Sequence, residues 1–244
     1  MKIIQRPSPN FDDRKAPIRY LIFHATALDT LEETFKALID SKEPNRVSAH
    51  YVIDRDGSIY QLVADDKKAF HAGVSDWAFT NQGKAIKSLN DFSIGVEFQC
   101  PAKGDGLGGF TKAQIKSGIE LSRSLIKKYG ILPQHVLGHS DIAPHRKQDP
   151  GIFFPWRTFA KAGIGIWPKE RTLKKSTLKR PLADLLMRIG YPVAFGIDEN
   201  IIAFKRHYMP KAKMTKKPSL RIIRRAGILA EELGVLYSSR GPKA

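Results

Sequence analysis

Cysteine is almost missing: Cys100 is the single thiol in 244 residues. An intrachain disulfide is therefore excluded, as is a cysteine-rich metal cluster. A bound metal would have to rest mainly on His, Asp or Glu. No apolar run approaches the roughly 18 residues of a membrane-spanning helix, so no transmembrane segment is expected. The opening stretch, MKIIQRPSPNFDDRKAP, has neither an apolar segment of signal-peptide length nor a lipid-accepting cysteine. With Met1 as the native start the expectation is a cytoplasmic protein; with a leader removed, a periplasmic or outer-membrane-associated one. No internal repeat or low-complexity tract is found, and nothing in the sequence sets the oligomeric state.

Acidic residues are scarce. The chain carries 24 Asp and Glu against 41 Lys and Arg, a net charge of +17. The excess is uneven: residues 173–244 hold 16 basic against 5 acidic side chains, and residues 1–172 hold 25 against 19. This is either general solubility or a sign of a polyanionic partner, such as an anionic wall polymer, a membrane surface or a nucleic acid. Nucleic acid is not the expected partner. It would call for aromatics interleaved with the basic residues of the tail, and Phe204 and Tyr208 read as core and helix end.

Apolar residues make up 42% of the chain, enough to build a core. IRYLIFH, 18–24, is β-branched and aromatic and reads as a buried strand. Thr30 and Glu33 then form a capping box ahead of Leu31, Phe35, Leu38 and Ile39 on one helical face. Asp56-Gly57 between two strand-like runs signals a hairpin. A polar stretch with Gly73 and Gly83 covers about 66–90. FSIGVEFQC, 92–100, is a second buried strand. Thr111 and Gln114 open a helix that closes with Lys127, Lys128 and Gly130. HVLGH is a short strand. The fold class is α+β: a central mixed sheet flanked by helices, followed by a small C-terminal three-helix domain. The composition turns basic and polar at WPKERTLKKS, 167–176, which divides the chain into 1–172 and 173–244. Helices are expected at about 177–190, 198–208 and 219–234. The N-terminal unit is expected to be complete without the tail.

GHSDIAPHRKQDPG, 138–151, concentrates His139, His145, Asp141 and Asp149 on a segment broken by Pro144 and Pro150. It reads as an irregular loop. His24 and His139 sit at strand ends, and two imidazoles with a carboxylate such as Asp149 make a Zn²⁺ ligand set with one position open. By spacing alone, His145 is also a candidate ligand. Glu97 inside FSIGVEF is costly to bury unless it is paired or functional.

FHAT, VSAHYVIDRDGSIYQLV, AFHAGVS, NDFSIGVEF and LGHSDIAPHRKQDPG occur in this order over residues 18–157. Together they closely resemble the zinc-dependent N-acetylmuramoyl-L-alanine amidases of the AmpD/AmiD type, which share their fold with phage lysozyme-like amidases and peptidoglycan recognition proteins. The resemblance implies Zn²⁺ held by His24, His139 and Asp149, with Glu97 and Lys147 catalytic. Its expected partner is peptidoglycan or a muropeptide. His71 of the HAG motif is implied as a substrate contact, with loop structure as the alternative, and Arg146 reads as a solvated side chain or a contact to a substrate carboxylate. His50 is strand-embedded. Ala49 stands where phage relatives have a tyrosine, which favours a mechanism through glutamate. The tail is similar to the peptidoglycan-binding-like three-helix unit that follows such catalytic domains. The alternative is a non-catalytic peptidoglycan-binding module, which loss of a ligand or of the glutamate would mark; all five positions are filled.

Overall fold

The computed structural model describes residues 1–77, 88–103 and 106–238. Part of the expected polar stretch, 78–87 with Gly83, lies outside the described residues. The central sheet has six strands: β1 (Ile3–Gln5), β3 (Tyr20–Ala25), β4 (Tyr51–Ile53), β5 (Ile59–Gln61), β7 (Ser93–Phe98) and β10 (Val136–Gly138), in the order β1-β5-β4-β7-β3-β10. Only the β4–β5 hairpin is antiparallel, turning where Asp56-Gly57 was expected to turn it, with Gly57 at φ 90. Two small ribbons, β2 (Phe11–Asp13) with β6 (Lys67–Ala69) and β8 (Ala102–Lys103) with β9 (Gly106–Leu107), complete the strands.

Strand alternation sorts the side chains of β3 and β7. Leu21, Phe23, Ile94, Val96 and Phe98 point to one face, into a core with Leu121 and Leu125 of α2 (Lys112–Tyr129) and Phe159 of α4 (Trp156–Lys161). Tyr20 and Ile22 point to the other face, and so do His24, Ser93 and Glu97 by the same period of two. The chemistry therefore sits on one side of the sheet, at the carboxyl ends of its parallel strands, where open α/β sheets generally bind ligands.

The expected caps form. Thr30 and Glu33 close the box on α1 (Leu31–Ile39). Thr111 and Gln114 do so on α2, which ends at Gly130 in the left-handed region at φ 64. Two expectations are corrected in detail. The loop after β10 contains one helical turn, α3 (His139–Ile142), because the prolines begin only at Pro144. The first tail helix is split into α5 (Lys175–Leu178) and α6 (Leu182–Ile189), since Pro181 disfavours helix at the residue before it. The remaining tail helices are α7 (Ile197–Tyr208) and α8 (Leu220–Ser238).

The tail packs directly on the sheet. Tyr20, Ile22, Leu137, Ile142 and Trp77 share one buried cluster with Leu185, Leu186, Tyr191, Phe204 and Leu229. Packing across the compositional boundary at 172 is thus continuous. Among the described residues no helix is long and apolar enough to cross a membrane.

Candidate metal centre

Strand register explains why residues far apart in sequence meet. β3 is flanked by β7 and β10. His24 pairs with Glu97 across the first, and Phe23 pairs with Gly138 across the second, which puts His139 next to His24. Asp149 closes the group, and the Ser140 N–H donates to its carbonyl at 2.8 Å. His24 Nδ1, His139 Nδ1 and Asp149 Oδ2 form a nearly equilateral triangle with edges of 3.0, 3.1 and 3.2 Å. A tetrahedral Zn²⁺ with ligands at roughly 2.0–2.1 Å needs donor separations of about 3.3 Å. The triangle matches that edge closely.

With both imidazoles neutral, the hydrogen bonds around them turn a lone pair to each corner. The Ser93 hydroxyl donates to Leu89 O at 2.6 Å, so it accepts from His71 Nε2–H at 3.1 Å. His71 Nδ1 is then an acceptor, and His24 Nε2–H donates to it at 3.0 Å. His24 Nδ1 is left unprotonated, because burial, and then His139, lower its pKa to about 4 and keep the ring neutral. His139 Nε2–H donates to Ala72 O at 3.2 Å, so that in the neutral ring Nδ1 is free to bind an ion. Two imidazole lone pairs and a carboxylate oxygen at contact distance, with no proton between them, repel one another unless a cation sits among them. The donor set fits a metal ion, with neutral-nitrogen and carboxylate ligands suited to zinc.

Glu97 stands beside His24. Its Oε2 is sealed from solvent and has no hydrogen-bond partner among the described residues. Burial, and then Asp149, push its carboxyl up to about 8, against the pull of Lys147. Lys147 is half-buried on the loop two residues before Asp149. Gly95, between Ser93 and Glu97, leaves the space for His71: a Cβ there would lie 2.4 Å from the imidazole Cγ.

His71 is buried, and both of its ring nitrogens have protein partners. Asn90 Oδ1 accepts from the backbone N–H groups of His71 and Ala72 at 3.2 and 2.7 Å, which anchors the segment. The Arg146 guanidinium donates to the carbonyls of Ala72 and Val74. His71 and Arg146, expected as substrate contacts, are thus both engaged with the protein. His145 is outside the donor group and packs on Phe195 with ring centroids 4.1 Å apart. His50 accepts from Gly95 N at 3.0 Å and lies 3.1 Å from Lys67 O, so it is built into the sheet. Sequence reasoning missed Ser93 and the two carbonyls, whose roles depend on tertiary proximity.

A model of the N-acetylmuramoyl-L-alanine amidase family matches residues 14–152. The chain belongs to that family. The amidase is a hydrolase acting on a carbon–nitrogen amide bond. It is 34% identical over 219 residues to N-acetylmuramoyl-L-alanine amidase AmiD of Escherichia coli, covering 79% of this chain and 75% of that one. It is 45% identical over 114 residues to 1,6-anhydro-N-acetylmuramyl-L-alanine amidase AmpD of the same organism, covering 47% and 57%. The solved complex of E. coli AmiD with anhydro-N-acetylmuramic acid-L-Ala-D-γ-Glu-L-Lys superposes with a TM-score of 0.76 at 31% identity, covering 91% of the amidase and 93% of AmiD. AmpDh3 of Pseudomonas aeruginosa in complex with anhydromuramic pentapeptide gives 0.72 at 29%, covering 93% and 96%.

Proposed function

We propose that the protein cleaves the amide between the lactyl group of N-acetylmuramic acid, or its 1,6-anhydro form, and L-alanine, using one Zn²⁺ held by His24 Nδ1, His139 Nδ1 and Asp149. The observation that carries this reading is the close triangle of two imidazole nitrogens and a carboxylate oxygen beside a glutamate whose Oε2 has no partner among the described residues. When bound, the ion supplies Lewis acidity, polarising the scissile carbonyl and acidifying water. Glu97 takes the proton from the attacking water and passes it to the amide nitrogen, which leaves as the free amine of alanine. Lys147 donates to the oxyanion that develops on the carbonyl. His71, fixed by Ser93, presents an acceptor to His24 Nε2–H and so keeps His24 Nδ1 turned to the ion. Arg146 ties down the Ala72–Val74 backbone that lines the same side.

The chain is proposed to be organised as a catalytic unit, 1–172, and a peptidoglycan-binding-like helical unit, 173–244. Family members in solved complexes hold anhydro-muropeptides, which supports the muropeptide assignment. The test is digestion of purified sacculi and of anhydro-muropeptides with product masses read out. Release of the intact stem peptide from the muramyl lactyl group is expected, lost on chelation and restored by Zn²⁺. Products cut elsewhere in the peptide or glycan would overturn the assignment.

A further inference from the structure

Asp141 lies in α3, two residues after His139, and is fully sealed from solvent. A buried carboxylate needs several donors to offset the loss of water. It has three. Gly138 N donates to Oδ2 at 2.8 Å, which caps α3 from within. The other two come from the tail: His207 Nδ1 reaches Oδ2 at 2.7 Å, and the Tyr191 hydroxyl donates to Oδ1 at 2.6 Å. His207 is itself fixed, stacked between Trp156 at 3.7 Å and Tyr208 at 3.9 Å.

The same short helix carries one of the loop residues of the donor triangle and holds the other. His139 is its first residue, and Ser140 N holds the Asp149 carbonyl. We propose that the C-terminal helices are a positioning element of the metal centre: His207 and Tyr191 hold Asp141, and through α3 they set His139 and Asp149 against His24. This assigns the tail a role apart from any attachment to the wall, and it rests on the reading of His139 and Asp149 as ligands. With the tail's two donors removed, Asp141 would keep a single hydrogen bond in a sealed site. The loop would relax to reach water, and the donor triangle would open.

The test uses the full chain and measures Zn²⁺ affinity by competition with a chelator, beside kcat, KM and the melting temperature of the metal-stripped protein. His207→Ala should weaken Zn²⁺ binding by about tenfold or more, the scale seen for groups behind metal ligands. His207→Asn places an amide N–H near the position of Nδ1 and should recover most of that loss. Tyr191→Phe keeps its ring in the core, so it carries the test even where His207→Ala folds poorly; it should weaken zinc binding by several-fold with KM unchanged. Native zinc affinity in both His207→Ala and Tyr191→Phe, whatever their melting temperatures, overturns the proposal. So does equal loss in His207→Ala and His207→Asn, which would mean that ring packing rather than the hydrogen bond matters. His24→Ala is the control: if it too keeps full zinc, the ligand assignment has failed rather than the role of the tail.

Discussion

Replacing Glu97 by glutamine should make the metal-stripped protein more stable and the loaded enzyme far slower. The carboxyl group sits at about 8, above the ordinary glutamate value of 4.5. Between those values the unfolded chain has released a proton that the folded, metal-free chain retains. Stability therefore falls as pH rises through that window, by at most about 1.4 kcal/mol per unit. The side chain is half-buried, so screening reduces the effect, and at pH 7 the cost is on the order of 1–2 kcal/mol. Glutamine has the same shape and no charge. At pH 7 the stripped Glu97→Gln protein should melt about 2–8 °C higher than the parent, and the difference should shrink toward pH 4.5. With zinc restored, loss of a positioned base should lower kcat by about 10²–10⁴-fold with metal content unchanged. Differential scanning fluorimetry from pH 4.5 to 8.5, metal analysis and steady-state kinetics cover the three readouts. A pH-independent or lower melting temperature would refute the argument that Glu97 is an uncompensated buried acid. Full turnover with full zinc would refute its role as the base.

Lys147→Ala should keep its zinc and lose about 10²–10³-fold in kcat, whereas His24→Ala should lose metal and activity together; metal content plotted against rate separates the two. His71→Ala leaves the His24 N–H without its acceptor and should weaken zinc binding by about 10–100-fold, while His71→Asn, which keeps an acceptor near the Nδ1 position, should do better; equal affinities in a chelator competition would sink the relay. His50 is buried as the neutral ring, with burial and then Arg14 lowering its pKa to about 3. Below 6.5 the unfolded chain takes up a proton that the folded one refuses, so stability should fall as pH drops from 6.5 toward 3; chemical unfolding at stepped pH values should give that slope, and a flat profile there would contradict it.

The residues of the proposed ligand set and catalytic pair stand out in the sequence because their surroundings are local. His24 ends an apolar strand, Glu97 interrupts another, and His139, Lys147 and Asp149 share one short segment. The caps at Thr30 and Thr111 were legible for the same reason, since each box spans only three residues. The HAG motif does not reveal which way the ring of His71 faces; that depends on the missing side chain at Gly95 and on the hydroxyl of Ser93, which folding brings against it. Asp141 was given no role in the sequence, because its partner His207 lies 66 positions away. Local periodicity carries no record of such pairings. The turn of helix at α3 was hidden because its four residues are too few to show a period, and Pro144 and Pro150 dominate the pattern around them.

The cluster joining Tyr20, Ile22 and Leu137 to the tail helices has a practical consequence for anyone recombining such chains. Two parts that touch only through a linker can be traded between proteins like beads on a string. Here an exchange at residue 172 would leave the middle of the sheet bare, a sticky apolar face that invites aggregation. A chimera carrying a foreign targeting segment would therefore need to keep α6, α7 and α8 and add its cargo beyond them.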